Sequence, residues 1–400
     1  MNVAAHAPAL LSLANCGLEG RPLPTRLPQV TPADWPHLAA LATAHALGPL
    51  LYAGCRATGT RAPSEIADLL RREARASDLR AESLLRQLDA VVEAFSAAGI
   101  RTIVLKGASL ARRCYPSPGL RTFTDLDILV PPGERERASK ILTDLGHREV
   151  EAVPGHDRDY LAAIHYHWQF RAERGATIEL HWDLTPPASP VRFDLHCLWD
   201  RARPFLYPGG QAWSLSPEDE ILYLAAHISK HQFRLQLRHY FDLTAIANAG
   251  PVDWAVLAAT AAASRAWDDL IVVLGVAREF ALFACPGIIG EHMARTARRL
   301  DFSRLALYAA AWPFCERRHG LIDLLAAGSF RAAVRAGVAA LRGTRGGSVA
   351  AAARTPAPAA RRSWASRLHR AAESMRRPEA RSGICAAVSI QRHFNNRQVP

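Results

Sequence analysis

Lysine is nearly absent from this sequence, and cysteine follows no recognisable pattern. Only three of the 400 residues are lysines, namely Lys106, Lys140 and Lys230, so each lysine is a candidate for a specific role. The seven cysteines are an odd number and no two of them have CxxC spacing. This argues against a disulfide framework and against a zinc site built from cysteines. The longest apolar runs, 270–284 and 305–315, are too short to cross a bilayer.

The compartment follows from these absences. The first 16 residues contain a short apolar stretch but no basic residues before it, so they make a poor secretory signal. Together with the cysteine usage, this predicts a cytoplasmic protein without a transmembrane segment.

Negative charge is almost missing from the end of the chain. Residues 331–400 hold 14 arginines against two acids, Glu373 and Glu379, and so carry all of the formal net charge of +12. The preceding 330 residues are neutral, which argues against a body built to bind nucleic acid. The tail could contact RNA or an anionic surface, but a solvated, compositionally biased extension is the favoured interpretation.

The periodicity of the chain predicts an α+β fold, with N-terminal helices, a small mixed-sheet core and a larger C-terminal helical domain. A strong helix starts at Ser64, and Gly48-Pro49 is expected to break or kink an earlier one. Ser216 is expected to cap another helix that has proline at its first position. Strands are predicted at 102–105, 125–130, 165–171 and 177–183, and helices at 108–113, 134–145 and in six segments between 217 and 316. The predicted boundaries are 1–98 for the helical lead-in, 99–200 for the core, 201–340 for the helical domain and 341–400 for a largely disordered tail.

Two aspartates at the start of one predicted strand are the most informative feature. Asp125 and Asp127 are two residues apart, so their side chains project from the same face. Carboxylates about 4 Å apart repel by roughly 4 kcal/mol at an effective dielectric constant near 20, and a cation between them relieves this repulsion. Glu179 on a later strand offers a third carboxylate. Such a trio suits Mg²⁺, or two metal ions acting on a phosphate; the plainer alternative is a solvated strand edge.

A strand followed by Lys106-Gly107 and a short helix precedes the aspartates. Glycine at a strand-to-helix turn lets backbone N–H groups approach a phosphate, and the helix N-terminus favours an anion. Lys106 and Arg121 supply positive charge at the same end of the sheet.

The segment 105–130 reads LKGASLARRCYPSPGLRTFTDLDILV and is followed by IELHW and by EDEILYLAAHISKH. These motifs resemble the bacterial family of uncharacterised nucleotidyltransferases, within the superfamily of DNA polymerase beta type. The resemblance covers about 35–250. It implies a metal-dependent transfer of a nucleotidyl group from an NTP, with Mg²⁺ or Mn²⁺ held by Asp125, Asp127 and Glu179. The triphosphate would lie near Lys106, Gly107, Ser109 and Arg121, although Gly107-Ala108 replaces the usual Gly-Ser or Gly-Gly.

The histidines form a second group of candidates. His165 and His167 share one face of a predicted strand, and Trp168 and Trp182 are expected to face the core. His181 shares a strand face with Glu179 and either lines the acceptor site or is an ordinary polar residue of a half-exposed sheet. His227 and His231 have i, i+4 spacing, which can bind Zn²⁺, but a role in contacting substrate or in hydrogen bonding is favoured. Lys230, Arg238 and Asp242 lie close by, either gripping substrate or, for Arg238 and Asp242, forming an ordinary helical ion pair.

The sequence therefore predicts an enzyme that moves a nucleoside monophosphate from an NTP to a hydroxyl or phosphate of a small molecule, peptide or RNA and releases pyrophosphate. Three alternatives stay open: a non-catalytic or regulatory nucleotide-binding module, a toxin-like nucleotidyltransferase that modifies tRNA, and a metal-dependent phosphohydrolase that uses the histidines. Neither the base of the NTP, the acceptor nor the oligomeric state follows from the sequence.

Overall fold

The fold was examined in a computed structural model of the 400-residue chain. The structure describes residues 3–21, 29–150, 165–173, 175–231, 233, 235–280, 286–298, 300–311 and 313. The chain divides into two units, Met1–Glu316 and Arg317–Pro400. All described residues belong to the first unit, so the predicted tail 341–400 lies outside them.

The described residues form thirteen α-helices and seven strands. The helices are α1 (Val3–Glu19), α2 (Trp35–Ala44), α3 (Gly48–Thr58), α4 (Ser64–Ala97), α5 (Lys106–Arg113), α6 (Arg135–Asp144), α7 (Leu195–Arg201), α8 (Pro217–Lys230), α9 (Arg238–Ala249), α10 (Trp254–Ala263), α11 (Trp267–Glu279), α12 (Gly287–Ala297) and α13 (Phe302–Ala311). The strands are β1 (Ile103–Leu105), β2 (Asp125–Leu129), β3 (Arg148–Val150), β4 (His167–Arg171), β5 (Thr177–His181), β6 (Arg203–Tyr207) and β7 (Gly210–Ser214).

All seven strands belong to one mixed sheet in the order β3-β4-β5-β2-β1-β7-β6. The pairs β2–β5 and β1–β7 are parallel, and the other neighbours are antiparallel. This mixed sheet, with helices before and after it in the chain, confirms the predicted α+β class.

The two faces of the sheet have different chemistry because side chains alternate along each strand. Leu126, Ile128, Phe170, Ile178 and Leu180 are buried on one face and belong to the same core cluster as the apolar side of α4. The opposite face carries the polar residues of β2, β4 and β5. The sheet thus hides its apolar face under a long helix and presents a polar row on the other.

Several local predictions are confirmed. Gly48-Pro49 does break the helical run, because α3 begins there with proline in its first turn. Ser216 caps α8, its hydroxyl accepting a hydrogen bond from the Asp219 amide at 3.2 Å. Trp168 and Trp182 are buried as expected, with ring centroids 4.8 Å apart.

Other features were missed or fall outside the described residues. Strand β3 and the β6–β7 hairpin were not predicted from the sequence; the hairpin pairs with β1 through Trp213 and Ile103. This hairpin lies beyond the predicted core boundary at residue 200, and the domain boundaries stay predictions. The last four residues of the helix predicted at 266–284, residues 281–284, lie outside the described part. Among the described helices, none has both the length and the apolar character of a membrane span.

Candidate active site

A row of acidic side chains crosses the centre of the polar sheet face. Asp125 and Asp127 both project from β2, and Asp127 stands directly opposite Glu179 of the parallel strand β5. Glu179 in turn stands opposite Gln169 of β4, whose side-chain amide donates a hydrogen bond of 3.1 Å to Oε1 of Glu179. The structure therefore brings together the three carboxylates that the sequence nominated.

Lys106 contributes an ammonium group to this row, and this group pairs with Asp127. It lies at the junction of β1 and α5, and its φ of +43° is in the left-handed region that non-glycine residues rarely adopt. Its Nζ lies 2.6 Å from Oδ1 of Asp127. Burial acts to lower the pKa of Lys106, but the negative charge of Asp127 outweighs it and holds this pKa well above the usual value. The lysine is therefore charged, and its backbone conformation is the kind of strain that functional sites retain.

His181 connects Asp127 with Glu179. Its Nε2 lies 3.1 Å from Oδ1 of Asp127 and 3.4 Å from Oε2 of Glu179, and the residue is fully buried. Burial lowers the pKa of His181, but the hydrogen bonds to Asp127 and Glu179 reverse this, so the pKa lies above the ordinary value. His167 stacks on His181 with ring centroids 4.9 Å apart. Burial, and then the charge of His181, lower the pKa of His167 to about 4.

The two aspartates have opposite electrostatic environments. Asp127 is buried, which alone raises its pKa, but the charge of Lys106 and the hydrogen bond from His181 lower this pKa strongly. Asp125 lies at the open end of the row. Burial, and then the charge of Asp127, raise the pKa of Asp125, and Lys106 offsets this only in part. Among the described residues, positive charge thus only partly offsets the negative charge of ionised Asp125.

These residues fit a hard divalent cation. Three carboxylates face one ammonium, so the row has a net charge of about −2 when His181 is neutral and about −1 when His181 is protonated. Burial, and then repulsion from Asp127, raise the pKa of Asp125. Carboxylate oxygens are the ligands that Mg²⁺ and Mn²⁺ prefer. The donor set therefore matches the metal that the resemblance implied.

Helix α8 and the start of α9 present a histidine cluster near the acidic row. Tyr223 and His227 lie one turn apart on α8 and His231 follows its last residue; the rings of His227 and His231 lie 4.7 Å apart. The His227 ring also lies 5.9 Å from that of His239. Burial is the main cause that lowers the pKa of His227 and of His239 well below the usual value. The cluster is therefore uncharged at neutral pH.

Two cations flank the histidine cluster. The Lys106 ammonium lies 5.8 Å from the centroid of the Tyr223 ring, which connects α8 with the acidic row. Lys230 donates a hydrogen bond of 2.9 Å to the hydroxyl of Tyr166, just before β4. Of the proposed support residues, His227 thus lies near the row, whereas Lys230 and the exposed His231 lie at the end of α8.

Arg121 and Asp242 form a separate, fully buried ion pair. Arg121 donates to both carboxylate oxygens of Asp242, at 3.1 and 2.7 Å, and the hydroxyl of Tyr115 donates to the same carboxylate at 2.8 Å. Arg238 instead donates to the carbonyl oxygen of Thr122 at 2.7 Å. The helical ion pair that the spacing of Arg238 and Asp242 suggested is thus replaced by two tertiary contacts. The predicted nucleotide contact of Arg121 stays a prediction.

Ser109 and Gly107 are both buried in the first turns of α5. The Ser109 hydroxyl accepts a hydrogen bond of 3.0 Å from Nε of Arg113, and Arg113 also pairs with the buried Glu220. A Cβ on Gly107 would come within 2.8 Å of Cβ of Phe123. Close packing thus accounts for the glycine, and whether either residue touches a nucleotide stays a prediction.

Some residues of the site were missed or undervalued at the sequence level. Gln169 and Tyr166 had no distinguishing signal, since their position depends on the pairing of β4 with β5. Tyr223 had one, because it precedes His227 by one helical turn. His167 was noted only for sharing a strand face with His165, yet it stands directly opposite His181.

Among solved structures, the chain is similar to the antibiotic-resistance factor ANT(2'')-Ia, studied in solution, with 13% identity, a TM-score of 0.33, and coverage of 45% of this chain and 90% of that one. It is also similar to a crystal structure of an antigenic nucleotidyltransferase-like protein from Paracoccidioides brasiliensis, with 16% identity, a TM-score of 0.30, and coverage of 48% and 92%. No curated protein matches.

The family assignment depends on a family model rather than on these structures. The model described as "Uncharacterised nucleotidyltransferase" matches residues 31–281, which is more than half of the chain and includes every candidate site residue named above. This identifies the chain as an enzyme of the nucleotidyl-transferring class. The chain belongs to the uncharacterised nucleotidyltransferase family.

Proposed function

We propose that this enzyme transfers a nucleoside monophosphate from an NTP to a hydroxyl or phosphate group of a small molecule, peptide or RNA. A bond forms between the acceptor oxygen and the α-phosphorus, the bond from that phosphorus to the β-phosphate oxygen breaks, and pyrophosphate leaves. The observation that carries the proposal is the register of β2 and β5, in which Asp127 stands opposite Glu179 with Asp125 on the same face.

The carboxylates of Asp125, Asp127 and Glu179 would hold Mg²⁺ or Mn²⁺. A bound ion of this kind supplies positive charge to the phosphate oxygens as the transfer proceeds. Asp127 is held in its ionised form by Lys106 and His181. Asp125, at the open end of the row, has the carboxylate with the least compensation, and it has the most to gain from a cation.

Residues of the chain itself would position the NTP, which donates the nucleotidyl group. The N-terminus of α5, at Lys106 and Gly107, lies at the end of β1 beside the acidic row, and a helix N-terminus favours phosphate oxygens. The Lys106 ammonium adds a charge that attracts the triphosphate. We assign Ser109 and Arg121 a supporting role in this region, because their side chains already make hydrogen bonds within the protein. Ser109 accepts one from Arg113, and Arg121 donates to Asp242.

The acceptor would approach from the side of the histidines. A carboxylate of the acidic row, or the neutral imidazole of His227, takes the proton that the acceptor hydroxyl loses. Burial lowers the pKa of His227, so this ring is unprotonated at neutral pH. His181, Lys230, His231, Arg238 and Asp242 then support the walls of the site.

The test is a labelling experiment with the full chain. Each NTP, labelled at its α-phosphate, is incubated with Mg²⁺ or Mn²⁺ and with RNA, protein and metabolite fractions of a cell extract. We expect label in one fraction and stoichiometric pyrophosphate, both abolished in Asp125→Asn. Asp144→Asn is the matched control, because its carboxylate pairs with Lys140 on the surface, away from the row.

The alternatives appear as distinct outcomes. Label in tRNA would identify the toxin-like activity within the same reaction class. Release of inorganic phosphate that depends on His227 would replace the proposal with a phosphohydrolase. NTP binding without label or pyrophosphate, in every fraction, would leave a binding module and refute the transfer.

A further inference from the structure

Two histidines and one glutamate form a mixed nitrogen and oxygen cluster at the edge of the acidic row. His167 of β4 and His181 of β5 are directly opposite each other, and Glu179 is two residues before His181 on the same face. One ring nitrogen of each histidine and one carboxylate oxygen of Glu179 all lie within 4.8 Å of one another. The cluster comes from the pairing of β4 with β5 and is therefore built on rigid strands.

The imidazoles of this cluster have nitrogen atoms without partners. Nδ1 of His167 and Nδ1 of His181 are both buried and accept or donate no hydrogen bond within the described part of the chain. His181 is fully buried, so water does not reach it. A buried polar nitrogen without a partner is costly, and such atoms are normally satisfied. Nδ1 of His167 is thus a nitrogen available to bind a ligand, whereas His181 turns its other ring nitrogen, Nε2, toward Glu179.

The surrounding charge favours a cation as that ligand. Lys106 compensates only Asp127, to which it is hydrogen bonded. Glu179 is bonded by the neutral amide of Gln169 and by His181. A dication would therefore meet net negative charge at this edge of the row.

We propose that His167, Glu179 and His181 form a cation site of their own, which takes Zn²⁺ or a similar borderline transition ion and lies beside the oxygen site for Mg²⁺ or Mn²⁺. Imidazole nitrogens suit such ions, and two histidines with one glutamate are a frequent open zinc site. Glu179 lies between the two donor sets, so it belongs to both and couples them. The inference does not depend on the proposed transfer reaction, because metal binding is measured without nucleotide.

The present geometry is close to what an ion requires. Ligand bonds of about 2.1 Å put the donors of a tetrahedral ion about 3.4 Å apart. The distance from Nε2 of His181 to Oε2 of Glu179 is 3.4 Å. Since no pair of donors in the cluster exceeds 4.8 Å, the His167 ring has to approach by no more than about 1.4 Å.

The experiment uses the full chain, stripped with a chelator and titrated with Co²⁺, whose visible absorption reports nitrogen ligands and low coordination number. The variants are His167→Gln, which removes a nitrogen donor, and Asp125→Asn, which removes an oxygen donor of the neighbouring site. His196→Gln is the matched control, since the side chain of this histidine on α7 is 88% exposed and lies outside the cluster.

We expect the wild type to bind Co²⁺ with intense absorption, and Zn²⁺ to displace it. Affinity should fall at least about tenfold in His167→Gln, because even the loss of an outer-sphere partner costs about 10–100-fold. Asp125→Asn should keep the intense absorption, because it removes no donor of this cluster, and His196→Gln should bind Co²⁺ as the wild type does.

Two results would overturn the proposal. One is equal Co²⁺ affinity in His167→Gln and in the wild type. The other is a weak, oxygen-only spectrum. Because His181 is buried and its variants risk misfolding, nitrogen NMR of the histidine rings in the wild type provides the second measurement. Zn²⁺ must shift the signals of His167 and His181, and unmoved signals refute the site.

Discussion

The ion pair between Arg121 and Asp242 allows a sharp test of which polar residues hold the fold together. The side chains are 3% and 0% exposed, and the contact is bidentate. Replacing Asp242 by asparagine preserves shape but leaves the guanidinium of Arg121 buried without a counter-charge. Removing one partner of a buried pair costs about 3–5 kcal/mol. We therefore expect Asp242→Asn to lower the free energy of unfolding by about that amount.

The assay is denaturant unfolding followed by circular dichroism, with two comparison variants. Asp144→Asn breaks a surface pair whose side chains are 76% and 62% exposed, so it should cost no more than about 1 kcal/mol. The double variant Arg121→Met with Asp242→Leu removes both charges and should recover most of the loss, because a well-packed apolar pair often replaces a buried ion pair without penalty.

The refuting result concerns nucleotide binding. If Asp242→Asn is as stable as Asp144→Asn but binds NTP much more weakly, the pair serves the ligand rather than the fold. The structural interpretation requires the reverse, a large loss of stability with unchanged NTP affinity in the protein that remains folded.

Three further predictions follow from the site. Asp125→Asn should raise the free energy of unfolding at neutral pH, since burial and the neighbouring Asp127 raise the pKa of Asp125. Wild-type stability falls as the pH rises from 3.8 through that raised pKa, because the native state resists ionisation of this carboxyl. A stability gain in Asp125→Asn that persists below pH 3.8 would contradict this prediction. Gly107→Ala should cost about 1–3 kcal/mol in thermal unfolding through overpacking on Phe123, whereas Gly133→Ala, with open space around it, should cost less. Deleting 342–400 should leave labelled product and RNA affinity unchanged in a filter-binding assay.

Much of the site could be predicted because it depends on local periodicity. Asp125 and Asp127 share a face because strand side chains alternate, and this is independent of the neighbouring strand. The helix that starts at Ser64 and the cap at Ser216 were also predictable, since capping residues and periodicity act over a few residues. The missed hairpin β6–β7 has a weak pattern, with exposed Leu206 on its outer edge.

Residue chemistry and spacing thus determined, by themselves, the acidic pair, the strand–Lys-Gly–helix before it and the neutral body with a basic tail. Only the tertiary structure decided which residues meet. In the fold, Glu179 stands opposite Asp127, and Lys106 forms an ion pair with Asp127. Asp242 pairs with Arg121, which is 121 positions away in the sequence. The physical reason is that strand order and buried ion pairs depend on how the whole chain packs, whereas side-chain alternation depends only on the backbone of one strand.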